Sequence, residues 1–170
     1  MKSKITVLLF AVVAFFASCD ELSLINYDLD FATAEITIKA TTVADTTYSL
    51  ASNTLDPAKE LADNGVNADN IKKATIKSVD MTLSSPDTGN FDWAKDAKVF
   101  ITADGQPEME IASVSDVPEG IDQFAIQSLD VDLIPYIKGG PFSVRLEAST
   151  DQAIPVDHKV IINMTFNVEI

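Results

Sequence analysis

The sequence contains one cysteine, one histidine and one tryptophan among its 170 residues. If the single cysteine is modified outside the folded domain, that domain contains no thiol. It then has no disulfide bond, no thiolate metal site and no cysteine nucleophile. One histidine cannot form a multi-histidine zinc site, and neither an HExxH nor a GxSxG pattern is present. We therefore expect a non-enzymatic protein that draws its stability from its core. We expect His158 to lie at the edge of that core.

Basic residues are also scarce: the chain has 12 lysines and arginines against 26 acidic residues, for a net charge of −14. Binding to nucleic acid requires basic side chains that replace counterions on phosphate, so this balance argues against a nucleic-acid partner. The same charge argues against binding anionic lipid headgroups through the protein surface. The acidic residues are scattered along the chain, which is typical of a solvated surface.

A long apolar run occupies residues 5–17, near the start of the chain. Two lysines precede it, and the small residues Ala17 and Ser18 follow, directly before Cys19. The run is shorter than the roughly 17–25 apolar residues that a transmembrane helix needs. A basic head, a short apolar middle and small residues together predict a cleaved export signal.

This segment resembles the signal peptide of bacterial lipoproteins, which ends in a lipobox cysteine. In that family the signal is cut before the cysteine, which then carries a diacylglycerol and usually an acyl chain such as palmitate. The resemblance implies a signal peptide at 1–18 and lipidation of Cys19, although Phe16 replaces the usual leucine. Two or three lipid chains hold a protein firmly, at about 0.8 kcal/mol for each buried methylene. The alternative is an ordinary secretory signal followed by an unmodified Cys19.

Two acidic residues, Asp20 and Glu21, directly follow the cysteine. This resembles a signal for surface display in one large group of gut and environmental Gram-negative bacteria. Leu22 follows the two acids, so the match is partial. The resemblance implies a lipid-anchored protein of the outer membrane that is exposed on the cell surface. A periplasm-facing position is the alternative.

Alternation of apolar and polar residues dominates the rest of the chain and predicts strands. Residues 19–30 show no sustained period and predict a tether, so that residues 31–170 form one domain. Capping and breaking residues predict a short helix at 56–65, and proline and glycine indicate another short helix or turn near 132–140. The predicted strands cover 34–40, 46–50, 72–83, 97–103, 108–114, 123–133, 142–148 and 158–170.

About seven strands, turn signals between them and no long helix favour an all-β fold, an antiparallel two-sheet β-sandwich. The overall pattern is similar to small immunoglobulin-like surface lipoproteins of Gram-negative bacteria. That resemblance carries no catalytic residue with it.

The densest polar cluster is PDTGNFD at 86–92. Asp87, Asn90 and Asp92 could offer oxygen ligands to calcium, which prefers loop carboxylates and carbonyls. The spacing does not match an EF-hand, and these residue types are also ordinary turn residues. We therefore expect no bound metal or cofactor, with calcium at these three residues as the alternative.

The sole tryptophan directly follows this cluster. Aromatic faces beside carboxylates stack on sugars and bond their hydroxyls, so Asp87, Phe91, Asp92 and Trp93 are candidate glycan-binding residues. Tyr136 is a further candidate for a stacking ring. The alternative is that Trp93 packs in the core at one end of the fold, as large aromatics usually do.

These observations predict a lipid-anchored, non-enzymatic domain of the cell envelope that acts in binding or as an accessory domain. Its partner is either a glycan, bound through loop 86–93, or another envelope protein. A structural or assembly role in an outer-membrane complex is a further alternative. Such a role would use sheet edges, loops or an exposed apolar patch.

Overall fold

The computed structural model describes residues 24–170, which form a largely β-strand domain. The predicted signal peptide at 1–18, Cys19, Asp20 and Glu21 lie outside the described residues. The elements are β1 Asn26–Ala32, β2 Ile36–Ile38, β3 Thr47–Leu55, α1 Pro57–Asp63, a 3₁₀ helix at Ala68–Asn70, β4 Lys73–Ser85, β5 Ala94–Ala103, β6 Met109–Ser115, β7 Gln123–Ser128, α2 Ile134–Lys138, β8 Phe142–Thr150 and β9 His158–Glu169.

The strands form one antiparallel sheet in the order β1-β9-β4-β7-β6-β5-β8-β3, and β2 also pairs with β9. The predicted two-sheet, immunoglobulin-like β-sandwich is therefore wrong. The pairing of β6 with β7, at Ala112–Ser128 and Ser113–Gln127, connects the two halves of the sheet. A period of two residues reveals which face of a strand is buried, but it does not reveal which strands pair. It therefore cannot distinguish one curled sheet from two separate sheets.

The sheet curls into a half-barrel, and the core fills its concave side. Phe31 of β1 and Phe142 of β8 are far apart in strand order, yet their ring centroids lie 5.2 Å apart. Phe166 of β9 stacks on Phe142 at 5.7 Å. The predicted alternation of β9 is confirmed, because its inward side chains are all buried: Val160, Ile162, Met164, Phe166 and Val168.

Strand β1 corrects the predicted tether. Residues 26–30 belong to β1, which pairs with β9 from Asn26 opposite Glu169 to Ala32 opposite Asn163. The apolar residues Leu29 and Phe31 alternate with acids, and both are buried. Asp and Asn are poor strand formers, so the composition of this segment alone indicates a loop. Only its pairing with β9 identifies it as a strand.

Both predicted short helices are present, and both lie against the sheet. The Asp56 carboxylate accepts a hydrogen bond from the Ala58 N–H at 2.9 Å, and Pro57 opens α1. Helix α1 buries Leu61 and packs on β1 and α2, whereas α2 packs on β4 and β5. Within residues 24–170, no helix is both long and apolar enough to cross a membrane.

The pairing register sorts the connections to two ends of the domain. Strand β4 ends beside the start of β9, because Ser85 lies opposite Lys159. Because β4 pairs with β7 and β7 pairs with β6, the starts of β3 and β5 and the end of β6 lie at this same end of the sheet. Four connections therefore share one end, which we call the loop end: 39–46, 86–93, 116–122 and 151–157.

The opposite end holds α1, α2 and the β5–β6 hairpin, and we call it the helix end. The chain enters the sheet there, at Asn26 opposite Glu169. Strand β9 runs from one end to the other over 12 residues. At a rise of about 3.4 Å per residue, the two ends are separated by roughly 40 Å of strand.

Candidate functional site

The loop end has a large excess of negative charge. Its single basic residue is Lys39, which pairs with Asp157 at 2.8 Å. The Ala40 N–H and the Lys39 ammonium lower the pKa of Asp157, so this acid stays charged. The acidic residues of the four connections are Asp45, Asp87, Asp92, Asp116, Glu119, Asp122, Asp151 and Asp157. A surface of this kind attracts cationic groups and repels anionic ones.

Hydrogen bonds to Asp92 link three of the four connections. Its carboxylate accepts hydrogen bonds from the Asn90 Nδ2 at 2.6 Å and from the Gly120 backbone N–H at 2.5 Å. Its own carbonyl accepts a hydrogen bond from Gln152 Nε2. Asp92 therefore positions loop 86–93 against loops 116–122 and 151–157.

The two aromatic residues beside Asp92 are buried rather than exposed. Phe91 is 0% exposed and Trp93 is 4% exposed. The Phe91 ring contacts the Phe124 ring edge-on, with 4.9 Å between the ring centroids. The centroids of the Trp93 and His158 rings are 5.4 Å apart. The alternative interpretation of Trp93 as a packing residue is confirmed, and neither ring presents a free face for stacking on a sugar.

Tyr136, the other predicted stacking residue, lies in α2 at the helix end. It is 3% exposed, and its hydroxyl donates a hydrogen bond to the Pro107 carbonyl at 2.6 Å. Burial raises the pKa of this hydroxyl. Tyr136 therefore fastens α2 to the β5–β6 hairpin and is not brought together with loop 86–93.

His158 begins β9 directly beneath Trp93. It is buried, and its Nδ1 lies 2.9 Å from the Val156 carbonyl oxygen. The expected position at the edge of the core is confirmed.

The indole N–H of Trp93 is the one unsatisfied buried side-chain polar group among residues 24–170. Leaving a buried donor without an acceptor costs about 1–3 kcal/mol. Native proteins contain few such groups, and each requires an explanation. No feature of the sequence predicts this one, because it depends on which acceptors surround the folded ring.

A cleft of about 270 Å³ lies over Trp93, between loops 86–93 and 151–157. We call it the Trp93 cleft. Trp93 and His158 line it together with polar side chains, including Asp92, and with the apolar side chains of Pro86, Pro155 and Val156. This cleft therefore brings together the polar side chain of Asp92 and apolar walls beside the buried Trp93 ring.

A larger cleft, of about 630 Å³, lies beside loop 151–157. Thr41, Thr42 and residues 153–155 line it. Two large apolar side chains are exposed in the adjoining loops, Val43 at 63% and Val156 at 49%. The loop end thus combines exposed apolar groups with its acidic residues, as protein-binding surfaces often do.

The geometry gives no support to calcium at Asp87, Asn90 and Asp92. The Asn90 side chain donates its amide N–H to Asp92 and accepts the Asp92 backbone N–H at 3.2 Å, so its oxygen is already used. Asp87 is exposed. Within the described part of the chain, no group of three or more His, Cys, Asp or Glu side chains is placed to hold a metal ion.

One charged cluster that the sequence did not indicate lies on the convex face, away from the loop end. Arg145 of β8 forms ion pairs with Glu108 at 2.7 Å and Glu147 at 3.0 Å. Its guanidinium lies 4.0 Å above the ring of Phe100, its partner on β5. Hydrogen bonding to Arg145 lowers the pKa of Glu108. The cluster joins β8, β5 and the loop of the β5–β6 hairpin, and only the pairing of these strands reveals it.

No protein-family model matches this chain, and no curated protein matches it. Among solved structures, it is similar to one of Desmodium yellow mottle tymovirus, with a TM-score of 0.29, 8% identity, and coverage of 99% of this chain and 95% of that one. It is also similar to the empty head of Turnip yellow mosaic virus, with a TM-score of 0.31, 8% identity, and coverage of 99% and 89%. Similarities at these TM-scores carry no argument about fold or function.

Proposed function

We propose that this chain is a lipid-anchored, non-enzymatic binding domain of the cell envelope that presents its loop end to a partner protein. The observation that carries this proposal is the polarity of the domain. The chain enters at the helix end, where Asn26 lies opposite Glu169, and the four acidic connections lie at the other end of β9. An anchor at Cys19 therefore leaves the loop end facing away from the membrane.

The position of β1 limits the distance between the anchor and the domain. Only residues 20–25 separate Cys19 from the first strand. Fully extended, such a segment spans at most about 22 Å, at 3.6 Å per residue. The helix end therefore stays near the bilayer, and the loop end stands farther from it by the length of β9.

The proposed location is the outer membrane. Asp20 and Glu21 favour display on the cell surface, and a periplasm-facing position is the alternative. In either position the lipid holds the domain at the membrane. The protein surface is negatively charged, as anionic headgroups are, so the domain itself is repelled from the bilayer.

The partner that fits best is another envelope protein, as in an outer-membrane assembly. Stacking on a glycan requires an exposed ring, whereas Phe91, Trp93 and Tyr136 are all buried. A glycan bound only by hydrogen bonds in the Trp93 cleft is the second candidate, because the polar side chains of Asn90, Asp92 and Gln152 line that cleft.

The sheet edges are less available than the loops. The Ala34 N–H donates to the Asn53 side chain at 2.6 Å, and the Tyr48 hydroxyl donates to the Lys39 carbonyl at 2.7 Å. These bonds hold the segment around β2 against β3, and α1 packs on β1. Covered edges do not accept an added strand readily, which supports binding through the loop end.

Energy transfer to the membrane tests this arrangement. Cys19 is the sole cysteine, so once it is acylated an introduced cysteine takes a fluorophore at a single position. The full chain in lipid vesicles is labelled through Val156→Cys at the loop end or through Asp104→Cys at the helix end. We expect more transfer to a lipid-borne acceptor from position 104 than from position 156. Equal transfer, or more from position 156, would contradict the proposed orientation.

A further inference from the structure

Two of the four large apolar side chains that are exposed among residues 24–170 are neighbours at the helix end. They are Leu24, which is 50% exposed, and Ile25, which is 51% exposed. The other two, Val43 and Val156, lie at the loop end. Exposed apolar residues that stand together mark an interaction surface, whereas scattered ones do not. The helix end therefore has an apolar surface that a partner of the loop end does not cover.

Two open hollows extend this surface beyond the exposed pair. Ile25 lines a hollow of about 490 Å³ together with Lys72 and Ile170. The Ile170 backbone N–H donates to the Ile25 carbonyl at 3.0 Å, which holds these two residues side by side. Lys72 also lines a second hollow, of about 290 Å³, with the partly buried Val131 and Ile134. We call the surface that holds the exposed pair and both hollows the Ile25 face.

We propose that the Ile25 face contacts the lipid bilayer, with Leu24 and Ile25 inserted among the headgroups. The proposal rests on the proposed function, since it names what the helix end touches when Cys19 carries lipid. Leu24 follows Cys19 by five residues, which span at most about 18 Å at 3.6 Å per residue. Apolar faces at a membrane surface enter it by about 5–10 Å. The anchor therefore keeps the Ile25 face within reach of the bilayer, which buries both side chains.

The charge of the Ile25 face permits this contact. At the loop end, eight acidic residues stand against one lysine. Salt screens exposed charges beyond about 8 Å, whereas roughly 40 Å of strand separates the two ends. The acids of the loop end therefore do not oppose contact at the helix end. The charged residues that line the two hollows are nearly balanced: Lys72, Lys73, Asp69, Asp130 and Asp132.

Apolar burial, rather than charge, drives the contact. Lys72 is exposed and forms no ion pair with any described residue. Its stem can lie along the apolar surface while its ammonium reaches a lipid phosphate, as lysine side chains do at such boundaries. Because the exposed pair carries no charge, contact should persist at high salt and on vesicles of neutral phosphatidylcholine.

A fluorophore on the wall of the first hollow reports whether lipid covers the Ile25 face. Once Cys19 is acylated, Asn70→Cys takes the label at a single position. Asn70 is exposed, lines this hollow and is distant from Cys19 in sequence. The matched control is Thr42→Cys, at an exposed position that lines the larger cleft of the loop end.

Two quenchers distinguish lipid from water around the label. The full chain is placed in phosphatidylcholine vesicles that contain a lipid with a nitroxide near its headgroup, or iodide is added to the water. We expect the nitroxide to quench position 70 and to leave position 42 unchanged. We expect iodide to quench position 42 more strongly than position 70. Both results should be the same at low and high salt.

Substitution of the apolar pair separates contact with the bilayer from simple proximity to the anchor. Leu24→Ser/Ile25→Ser keeps Cys19 and the length of the connecting segment. We expect nitroxide quenching at position 70 to fall severalfold, while the chain still floats with the vesicles. The matched control, Val43→Ser/Val156→Ser, removes the other two exposed apolar side chains and should leave this quenching unchanged. All four side chains are about half exposed or more, so neither variant should unfold the domain.

Four results would overturn the proposal. Iodide could quench positions 70 and 42 equally, the two double variants could behave alike, or the nitroxide quenching could disappear at high salt. A label at position 70 that neither quencher reaches would mean that a partner protein or a second copy covers the face. A chain that does not float with the vesicles would refute the lipid anchor together with this proposal. A chain that floats but leaves position 70 in water would refute this proposal alone.

Discussion

Replacing Trp93 with alanine separates a packing residue from an exposed binding residue. Trp93 is 4% exposed and contacts the rings of Phe91 and His158. Truncating a buried aromatic residue to alanine costs about 3–5 kcal/mol. Part of this loss is offset, because the variant no longer buries an unpaired N–H that costs about 1–3 kcal/mol. We therefore expect the free energy of unfolding to fall by about 2 kcal/mol.

Thermal unfolding makes this loss easy to detect. For a chain of this length, each kcal/mol shifts the Tm by about 2–4 °C, so Trp93→Ala should lower the Tm by roughly 4–8 °C. Circular dichroism is the suitable signal, since the variant lacks the only tryptophan fluorophore. Urea unfolding monitored in the same way gives the free energy directly.

Two further variants make the result decisive. Trp93→Phe removes the unpaired N–H while keeping a ring, so it should cost less than about 1.5 kcal/mol. Val43→Ala, at a position that is 63% exposed, should change stability by no more than about 0.5 kcal/mol. If Trp93→Ala loses no more stability than Val43→Ala, the Trp93 ring is exposed and does not pack in the core beside the Trp93 cleft.

Three other predictions follow from the anchor, the central strand and the charged cluster. Cys19→Ala should move the full chain from the detergent phase to the aqueous phase, or leave it unprocessed. Deleting residues 158–170 removes β9, which lies between β1 and β4, so the product should show no cooperative unfolding. Arg145 lowers the pKa of Glu108, so their interaction stabilises the fold at neutral pH and is lost as Glu108 becomes protonated. Between about pH 5 and pH 2, the wild type should therefore lose more stability than Glu108→Gln.

Each of these predictions has a contradicting result. A native chain that is soluble and carries no acyl group would refute the lipid anchor. A midpoint close to that of the intact protein would mean that β9 is peripheral. Identical acid-unfolding curves for the wild type and Glu108→Gln would mean that Arg145 does not hold Glu108 in solution.

Much of the local structure is predictable from the sequence. The buried face of β9, the capped helix at Asp56 and the hairpin at Asp104-Gly105 each depend on residues close together in the chain. Alternation, capping and turn chemistry therefore predict them. The pairing of β6 with β7 depends on contacts between segments, and this pairing decides between one sheet and two.

The candidate site shows the same difference between features set by neighbouring residues and features set by contacts between distant segments. Loop 86–93 is recognisable from its composition, and the register of β4, β5 and β8 places it at an end of the domain. Burial of a large aromatic residue such as Trp93 is a reasonable expectation from the sequence, but its position beside loop 151–157 is not recognisable, because that loop is distant in sequence. The link from Asp92 to Gly120 is hidden for the same reason.

Photo-crosslinking in living cells tests most directly whether the loop end binds a partner protein. A photoreactive residue replaces Val156 at the loop end or Asp104 at the helix end, with Cys19 intact. We expect a discrete protein adduct from position 156 and none from position 104. We also expect neutralisation of Asp87, Asp92 and Asp151 to abolish that adduct. An adduct from position 104 alone, or one from position 156 that survives neutralisation of the three acids, would contradict binding through the loop end.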